Sequence, residues 1–229
     1  MSNVLVIGDT HAPCMLKKYP NFLQRLQDKH KCSKVIHIGD LVDWASISYH
    51  EKATGLKDPE REYAQAYKQV QTLYKAFPKV EWLIGNHDAL THRQAMSAGI
   101  PERVLKSYTQ MWDIPKWKAI PRYDCVIHQN VMYQHGDRGK GGQFAAVKNS
   151  VDEQMSVVQG HLHAQAGVWY RANQRATKHG GRTFGAQAGS GCDWKKSAMN
   201  YGKKYNMKPL IGALVVHNGA YATWVPMEL

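Results

Sequence analysis

Val80-Glu81-Trp82-Leu83-Ile84-Gly85-Asn86-His87-Asp88 is the stretch on which the reading of this chain turns. Its first five residues form a run of strand length. The next four are a glycine and three side chains that can bind cations, move protons or accept hydrogen bonds. Two earlier apolar runs end in the same way. Val4-Leu5-Val6-Ile7 leads into Gly8-Asp9-Thr10-His11, and Val35-Ile36-His37-Ile38 leads into Gly39-Asp40-Leu41-Val42-Asp43. Between the runs lie helical patterns. Phe22, Leu23 and Leu26 are spaced for one face of a helix over residues 20–31. Tyr63, Ala66, Tyr67, Val70, Leu73, Tyr74 and Phe77 make a continuous stripe over 60–77, which Pro78 stops. Strand, helix, strand, helix, strand predicts an α/β fold with parallel strands and crossover helices. In such sheets functional groups gather beyond the carboxyl ends of the strands, so the three polar ends should converge.

The second half changes character. Cys125 to Gln134 alternates around Asn130 like a hairpin, and residues 142–150 look helical. Val157-Val158, Val168 to Tyr170, Leu210 to Val216 and Tyr221 to Val225 read as strands, the last two joined through Asn218-Gly219, a strong hairpin signal. No repeat or linker interrupts the chain, so residues 1–229 are expected to form a single domain.

Composition narrows the class. With 43% hydrophobic residues the chain can build a core. Four cysteines without a C-x-x-C pair are too few for a disulfide framework, and no run is long enough to span a membrane. A cytoplasmic protein is expected, inside a bacterium or a phage-infected host. Thirty Lys and Arg against eighteen Asp and Glu, a formal net charge of +12, favour a polyanionic partner such as nucleic acid.

Two later stretches carry the same residue types: His135-Gly136-Asp137 and Gly160-His161-Leu162-His163. Across the set, Asp, Asn and His side chains could supply oxygen and nitrogen ligands to a pair of divalent ions of the Mn, Fe, Zn, Ni or Mg type. Each piece alone is weak. Asp-x-His, Gly-Asp-x-x-Asp, Gly-Asn-His-Asp, His-Gly and Gly-His-x-His in this order, over residues 8–163, are not. The ordered set resembles the calcineurin-like metallophosphoesterase superfamily, in the form of the stand-alone enzymes of phages and bacteria.

The resemblance implies a four-layer α/β/β/α sandwich of two mixed sheets. It also implies a dinuclear site that hydrolyses phosphate esters with a water activated between the ions. Asp9, His11, Asp40 and His163 would hold one metal. Asp40, Asn86, His135 and His161 would hold the other, with Asp40 bridging, and manganese is the first choice of metal. His87 would be the general acid or hydrogen-bond donor at the leaving oxygen, and Asp88 would orient the His87 ring. Asp43 is left open between a supporting role and a helix N-cap. Trp44 and Asp88 stand where the Ser/Thr protein phosphatases carry Arg and Glu, which makes a phosphodiesterase acting on nucleic acid or nucleotides the first expectation. A small-molecule or protein phosphomonoesterase and a non-catalytic nucleic-acid-binding protein are the alternatives.

The segment 169–208 strengthens the nucleic-acid reading. Arg171, Arg175, Lys178, Arg182, Lys195, Lys196, Lys203, Lys204 and Lys208 are interleaved with Trp169, Tyr170, Phe184, Trp194, Tyr201 and Tyr205, with Asp193 the only acid. Cations beside aromatic faces are what a single-stranded nucleic-acid groove uses. Gly185 to Gly191 is expected to form a flexible rim, with Trp44 and Tyr49 lining the cleft. Arg138-Gly139-Lys140-Gly141-Gly142 either brings a cation to the phosphate or forms a plain turn.

Overall fold

The computed structural model describes residues 2–49, 57–172, 181–196 and 208–229. The three runs that lead into the polar motifs are strands β1 (Asn3–Ile7), β2 (Cys32–His37) and β3 (Glu81–Leu83), paired in parallel. A further short strand, β4 (Lys118–Ile120), extends them in parallel; no apolar run marks it in the sequence. At the other edge β10 (Gly212–His217) pairs antiparallel with β1, and β11 (Tyr221–Pro226) antiparallel with β10, through a turn in which Asn218 and Gly219 take the left-handed conformation. The six-stranded sheet therefore runs β11-β10-β1-β2-β3-β4. A second sheet has the order β5-β6-β7-β9-β8, built from β5 (Val126–His128), β6 (Val131–Gln134), β7 (Ser156–Gln159), β8 (Ala166–Ala172) and β9 (Arg182–Ala188). Both sheets mix parallel and antiparallel pairs.

The two faces of the first sheet explain the unbroken apolar runs. On β1, Leu5 and Ile7 point to an outer core, while Val4 and Val6 point to an inner one. The outer core lies under α1 (Tyr19–Lys29) and α2 (Pro59–Ala76). Helix α2 starts as its sequence dictates: the Asp58 side chain accepts from Arg61 N at 2.9 Å, Pro59 stands at the first position, and Glu60 and Glu62 face the positive end of the helix dipole. Its stripe buries Ala66, Val70 and Leu73. The inner core lies between the sheets, where Ile36, Ile38 and Leu83 meet Tyr133, Val158, Phe184 and Ala186. Helices α3 (Leu90–Ser97) and α4 (Tyr108–Met111) lie between β3 and β4 in the chain, and α5 (Ala145–Asp152) packs on the far side of the second sheet, against β7 and β9. The layers are thus helices, sheet, sheet, helix. Among the described residues no helix is long and apolar enough to cross a membrane.

Two expectations change here. The glycine-containing stretch from Gly185 is not a flexible rim: residues Arg182–Ala188 are β9, an inner strand of the second sheet. A Cβ on Gly185 would lie 2.4 Å from the Val147 nitrogen, so the small residue serves the close approach of α5. Phe184 belongs to the inter-sheet core, 1% exposed, and not to a groove. Likewise Trp44 does not line a cleft. It is 6% exposed, stacks on Tyr63 and packs at a tilt against Trp112 in the outer core.

The core placement of Phe184 is testable. Phe184→Ala should lower the unfolding free energy by about 3–5 kcal/mol, the usual loss for a buried Phe. Urea denaturation measures it; a loss of about 0.5 kcal/mol or less, as for a surface change, would contradict the placement.

Candidate metal centre

Parallel pairing brings the ends of β1, β2 and β3 side by side, and the second sheet brings the ends of β6 and β7 over them. The structure places Asp9, His11, Asp40 and His163 so that one ligand atom from each lies within 4.8 Å of the others. Asp40, His135 and His161 form a second such group, and Asp40 belongs to both. Asn86 joins the second through its Oδ1, 3.1 Å from His135 Nε2. All seven side chains assigned to metal from the sequence are thus brought into one pocket.

Backbone geometry shows how tightly the site is set. His11, Asp40 and His161 have φ of 45°, 48° and 67°, the left-handed region that side chains other than glycine seldom enter. Each stands at the turn out of a strand. The Asp40 carbonyl accepts from Thr10 N (3.1 Å) and His11 N (2.9 Å), which fixes the β1 and β2 ends to each other. Asp40 Oδ1 accepts from His87 N at 2.9 Å, which ties in β3. Gly85 makes that possible, because a Cβ there would lie 2.2 Å from Asp40 Oδ1.

The donor set fits cations. His135 Nδ1 donates to the Ile38 carbonyl at 3.0 Å, so in the neutral ring the Nε2 lone pair faces Asp40 Oδ2 (3.4 Å) and Asn86 Oδ1 (3.1 Å). Three electron-rich atoms turned on one another call for a positive charge between them. His11 repeats the arrangement. Its Nδ1 donates to Asp43 Oδ1 at 2.9 Å, and its Nε2 faces His163 Nε2 at 2.9 Å and Asp40 Oδ2 at 3.8 Å. Asp9 Oδ2 meets His163 Nε2 at 2.9 Å, while Asp9 Oδ1 is buried without a hydrogen-bond partner. Where no metal is bound, protons supply the charge. Burial disfavours the charged form of His135, but Asp40 outweighs it and pushes the ring up to about 10. The Asp40 carboxyl is held well below its usual range: burial raises it, and His135 and His87 overcome that.

The His87 ring also lies beside the centre, 8% exposed, its centroid 4.8 Å from that of His11. Its Nδ1 lies 2.7 Å from the Asp43 carbonyl and 3.4 Å from Asp43 Oδ1. Burial would lower its pKa, yet Asp40 and Asp43 raise it to about 10. The partner expected for this ring was Asp88, and the structure corrects that. Asp88 points the other way, accepting from Val42 N at 3.2 Å, Gly85 N at 2.9 Å and Trp82 Nε1 at 3.1 Å. Its carboxyl is raised to about 7, by burial first and then by Asp40. Asp88 therefore holds the turn, and Asp43 holds the ring. Asp43 caps no helix; it braces both His11 and His87 and is lowered to about 2, because those hydrogen bonds outweigh its burial.

His37 belongs to none of the polar motifs, yet it supports the site. It is fully buried beneath the pocket, with Nδ1 accepting from Gly39 N at 3.2 Å and Nε2 3.2 Å from Thr10 Oγ1. Thr10 Oγ1 donates onward to the Leu41 carbonyl at 2.9 Å, so the ring proton sits on Nε2. Burial lowers His37 to about 3 and keeps it neutral, an internal strut for the Asp40 turn. A titratable residue inside an apolar strand run was its one signal in the sequence. Arg138 and Lys140 do not reach toward a phosphate. Arg138 bonds the Tyr123 carbonyl and Glu153, and Lys140 lies 3.8 Å from Asp152, as in the plain-turn reading.

Residues 2–188 match the family model described as calcineurin-like phosphoesterase. The chain belongs to that family. It is a metal-dependent phosphoesterase, a hydrolase of phosphate esters, and divalent metals are the cofactor the family uses. Solved structures with a similar course of chain include a metallophosphoesterase from Sphaerobacter thermophilus, with 14% identity, TM-score 0.48, and coverage of 99% of this chain and 88% of that one. A nuclease MPE from Pseudomonas putida aligns with 12% identity and TM-score 0.45, over 97% of this chain and 87% of that one. The phosphoesterase Yfce from E. coli aligns with 13% identity and TM-score 0.45, over 94% and 88%. No curated protein matches the sequence.

Two outcomes follow for this phosphoesterase. Asp43→Asn should lower kcat about 10- to 100-fold, the usual range for a residue that holds a ligand in place. Asp88→Asn should act mainly on stability, by about 1–3 kcal/mol for an unmatched buried donor or acceptor, with a smaller effect on kcat. Kinetics beside thermal melts separate the two, and the reverse ranking would restore Asp88 as the partner of His87. Second, a metal held by His135 displaces the proton that the ring carries below about 10. Affinity should therefore rise with pH, by about tenfold per unit for each proton displaced. Calorimetric titration with Mn2+ at pH 6, 7 and 8 checks the sign; an affinity independent of pH would contradict it.

Proposed function

We propose that the protein is a dinuclear phosphodiesterase acting on nucleic acid or nucleotides, with two divalent ions, manganese first among them. The observation that carries the proposal is Asp40, a carboxylate shared by two ligand groups, which is how two cations are held about 3.5–4 Å apart across one phosphate. In this reading Asp9, His11, Asp40 and His163 hold one ion, and Asp40, Asn86, His135 and His161 the other. Bound there, the ions supply Lewis acidity and a water of lowered pKa.

The chain's own residues do the rest. Water adds to phosphorus in line with the departing oxygen, and the P–O bond to that oxygen breaks. His87 donates a proton to the departing oxygen, which leaves as the alcohol, and the attacking water gives its proton to solvent. His87 Nδ1 is committed to the Asp43 carbonyl, so the transferred proton is carried on Nε2. Asn86 contributes an oxygen without adding negative charge to a pocket that receives an anion. A diester is favoured over a monoester by charge. The cations that follow His135 are turned onto Glu153 and Asp152, and Arg122 is paired with Asp137 at 2.7 Å, so none of these is left to neutralise a dianion. The net charge of +12 supports a polyanionic substrate. Cys14, Cys32, Cys125 and Cys192 are all free, which fits the reducing cytoplasm of a bacterium or a phage-infected host.

With Mn2+ bound, the enzyme should hydrolyse bis-p-nitrophenyl phosphate and single-stranded DNA faster than p-nitrophenyl phosphate. His87→Ala should cost about 10²–10⁴-fold in kcat, the range of one general acid. Turnover of the monoester alone would overturn the proposal.

A further inference from the structure

The aromatic residues of the basic segment divide once their surroundings are known. Phe184 is core. Trp169 packs edge-on against Phe144, and Tyr170 Oη both donates to the Ala222 carbonyl (3.0 Å) and accepts from Ala222 N (3.1 Å), joining β8 to β11. Arg175, Lys178, Tyr201, Lys203, Lys204 and Tyr205 lie outside the described residues. Trp194 is different. It is half-buried, with the Lys195 ammonium 5.9 Å and the Lys208 ammonium 5.5 Å from the centre of its ring. Neither Lys195 nor its neighbour Lys196 has a carboxylate within ion-pair distance among the described residues; Lys196 donates to the Pro13 carbonyl at 3.1 Å.

The backbone fastens this group to one side of the metal pocket. Gly191 N donates to the Asp9 carbonyl at 2.8 Å, and Asp193 N to the Cys14 carbonyl at 2.7 Å. Leu210 N donates to the His163 carbonyl at 2.8 Å, and Ser190 N closes the strip on the Leu210 carbonyl at 2.9 Å. Trp194 is three residues from the attachment to Asp9, and Lys208 two residues from the attachment to His163. At no more than about 3.6 Å per residue, Trp194 stands within about 11 Å of Gly191 and Lys208 within about 7 Å of Leu210, the residues bonded to the Asp9 and His163 carbonyls.

Resting on the phosphodiesterase reading above, we infer that Trp194 with Lys195 and Lys208 is the seat of the nucleobase next to the scissile phosphate, on the Asp9–His163 side, and that the substrate is a single-stranded polynucleotide. The indole offers a face that any base can stack on, and the ammonium groups exchange the ring for the adjoining phosphates. A duplex would keep its bases stacked on one another and leave the indole unused. Recognition is by stacking and charge, so it is tolerant of sequence.

The test compares a diester without a base, methyl p-nitrophenyl phosphate, with a single-stranded (dT)12, both with the Mn2+-loaded enzyme. Trp194→Ala should lower kcat/KM on (dT)12 at least about tenfold more than on the base-free diester, and Trp194→Phe should restore most of the loss. Equal losses on both substrates, or none on (dT)12, would overturn the inference. Anisotropy of labelled phosphorothioate (dT)12, which resists cleavage, reads the same site without turnover. Lys195→Ala with Lys208→Ala should flatten the slope of log affinity against log salt by about 1.4, about 0.7 for each lost phosphate contact. An unchanged slope counts against the site. Should the enzyme cleave only monoesters, the phosphodiesterase reading falls, while this binding measurement still decides for or against a base on Trp194.

Discussion

The structure is organised around a single buried carboxylate. Asp40 is 1% exposed and has one oxygen on the His87 amide and the other between the rings of His135 and His11. A charge so placed is costly unless positive charge meets it. That requirement explains what surrounds it: imidazoles whose far nitrogens are fixed by Ile38 and Asp43, a glycine where any side chain would collide, and backbones driven into the left-handed region at His11, Asp40 and His161. Such conformations cost about 1–3 kcal/mol each and persist only where the surroundings dictate them. Here the Asp40 carbonyl, accepting from Thr10 and His11, and the close packing of the two sheets do so.

The fold supplies this constraint from far apart in the chain. Parallel strands put their carboxyl ends on one edge, and the inter-sheet core of Val6, Ile38, Tyr133 and Val158 holds the second sheet's strand ends above them. A metal pocket made this way needs no long-range motif beyond a polar ending on each strand. Support lies one layer further out. Asp43 braces two rings, and neutral His37 links the Asp40 turn to Thr10.

Much of this was legible in the sequence, because burial on both faces of β1 and β2 leaves unbroken apolar runs, and a helix on one face, such as α2, leaves a stripe. The seven residues proposed as ligands were legible because each follows such a run directly or stands in a short polar motif. What was not legible shares a physical reason: neighbours in sequence are not neighbours in space. His87 and Asp88 leave their turn in opposite directions, one toward Asp43 and the other toward Trp82, so adjacency suggested a pair that does not form. Strand β9 was hidden because Gly185, small for the approach of α5, and Ala186 and Ala188, small within the inter-sheet core, read as a loop. Phe184 and Trp44 stand beside a motif or a basic segment in the chain yet in apolar cores in the fold.

The account stands on two cations sharing Asp40, and an anomalous diffraction measurement on Mn2+-soaked crystals addresses that most directly. Two peaks about 3.5–4 Å apart are predicted, one among Asp9, His11 and His163, the other among Asn86, His135 and His161, with Asp40 between them. A single peak, or peaks that leave Asp40 without a metal, would contradict it.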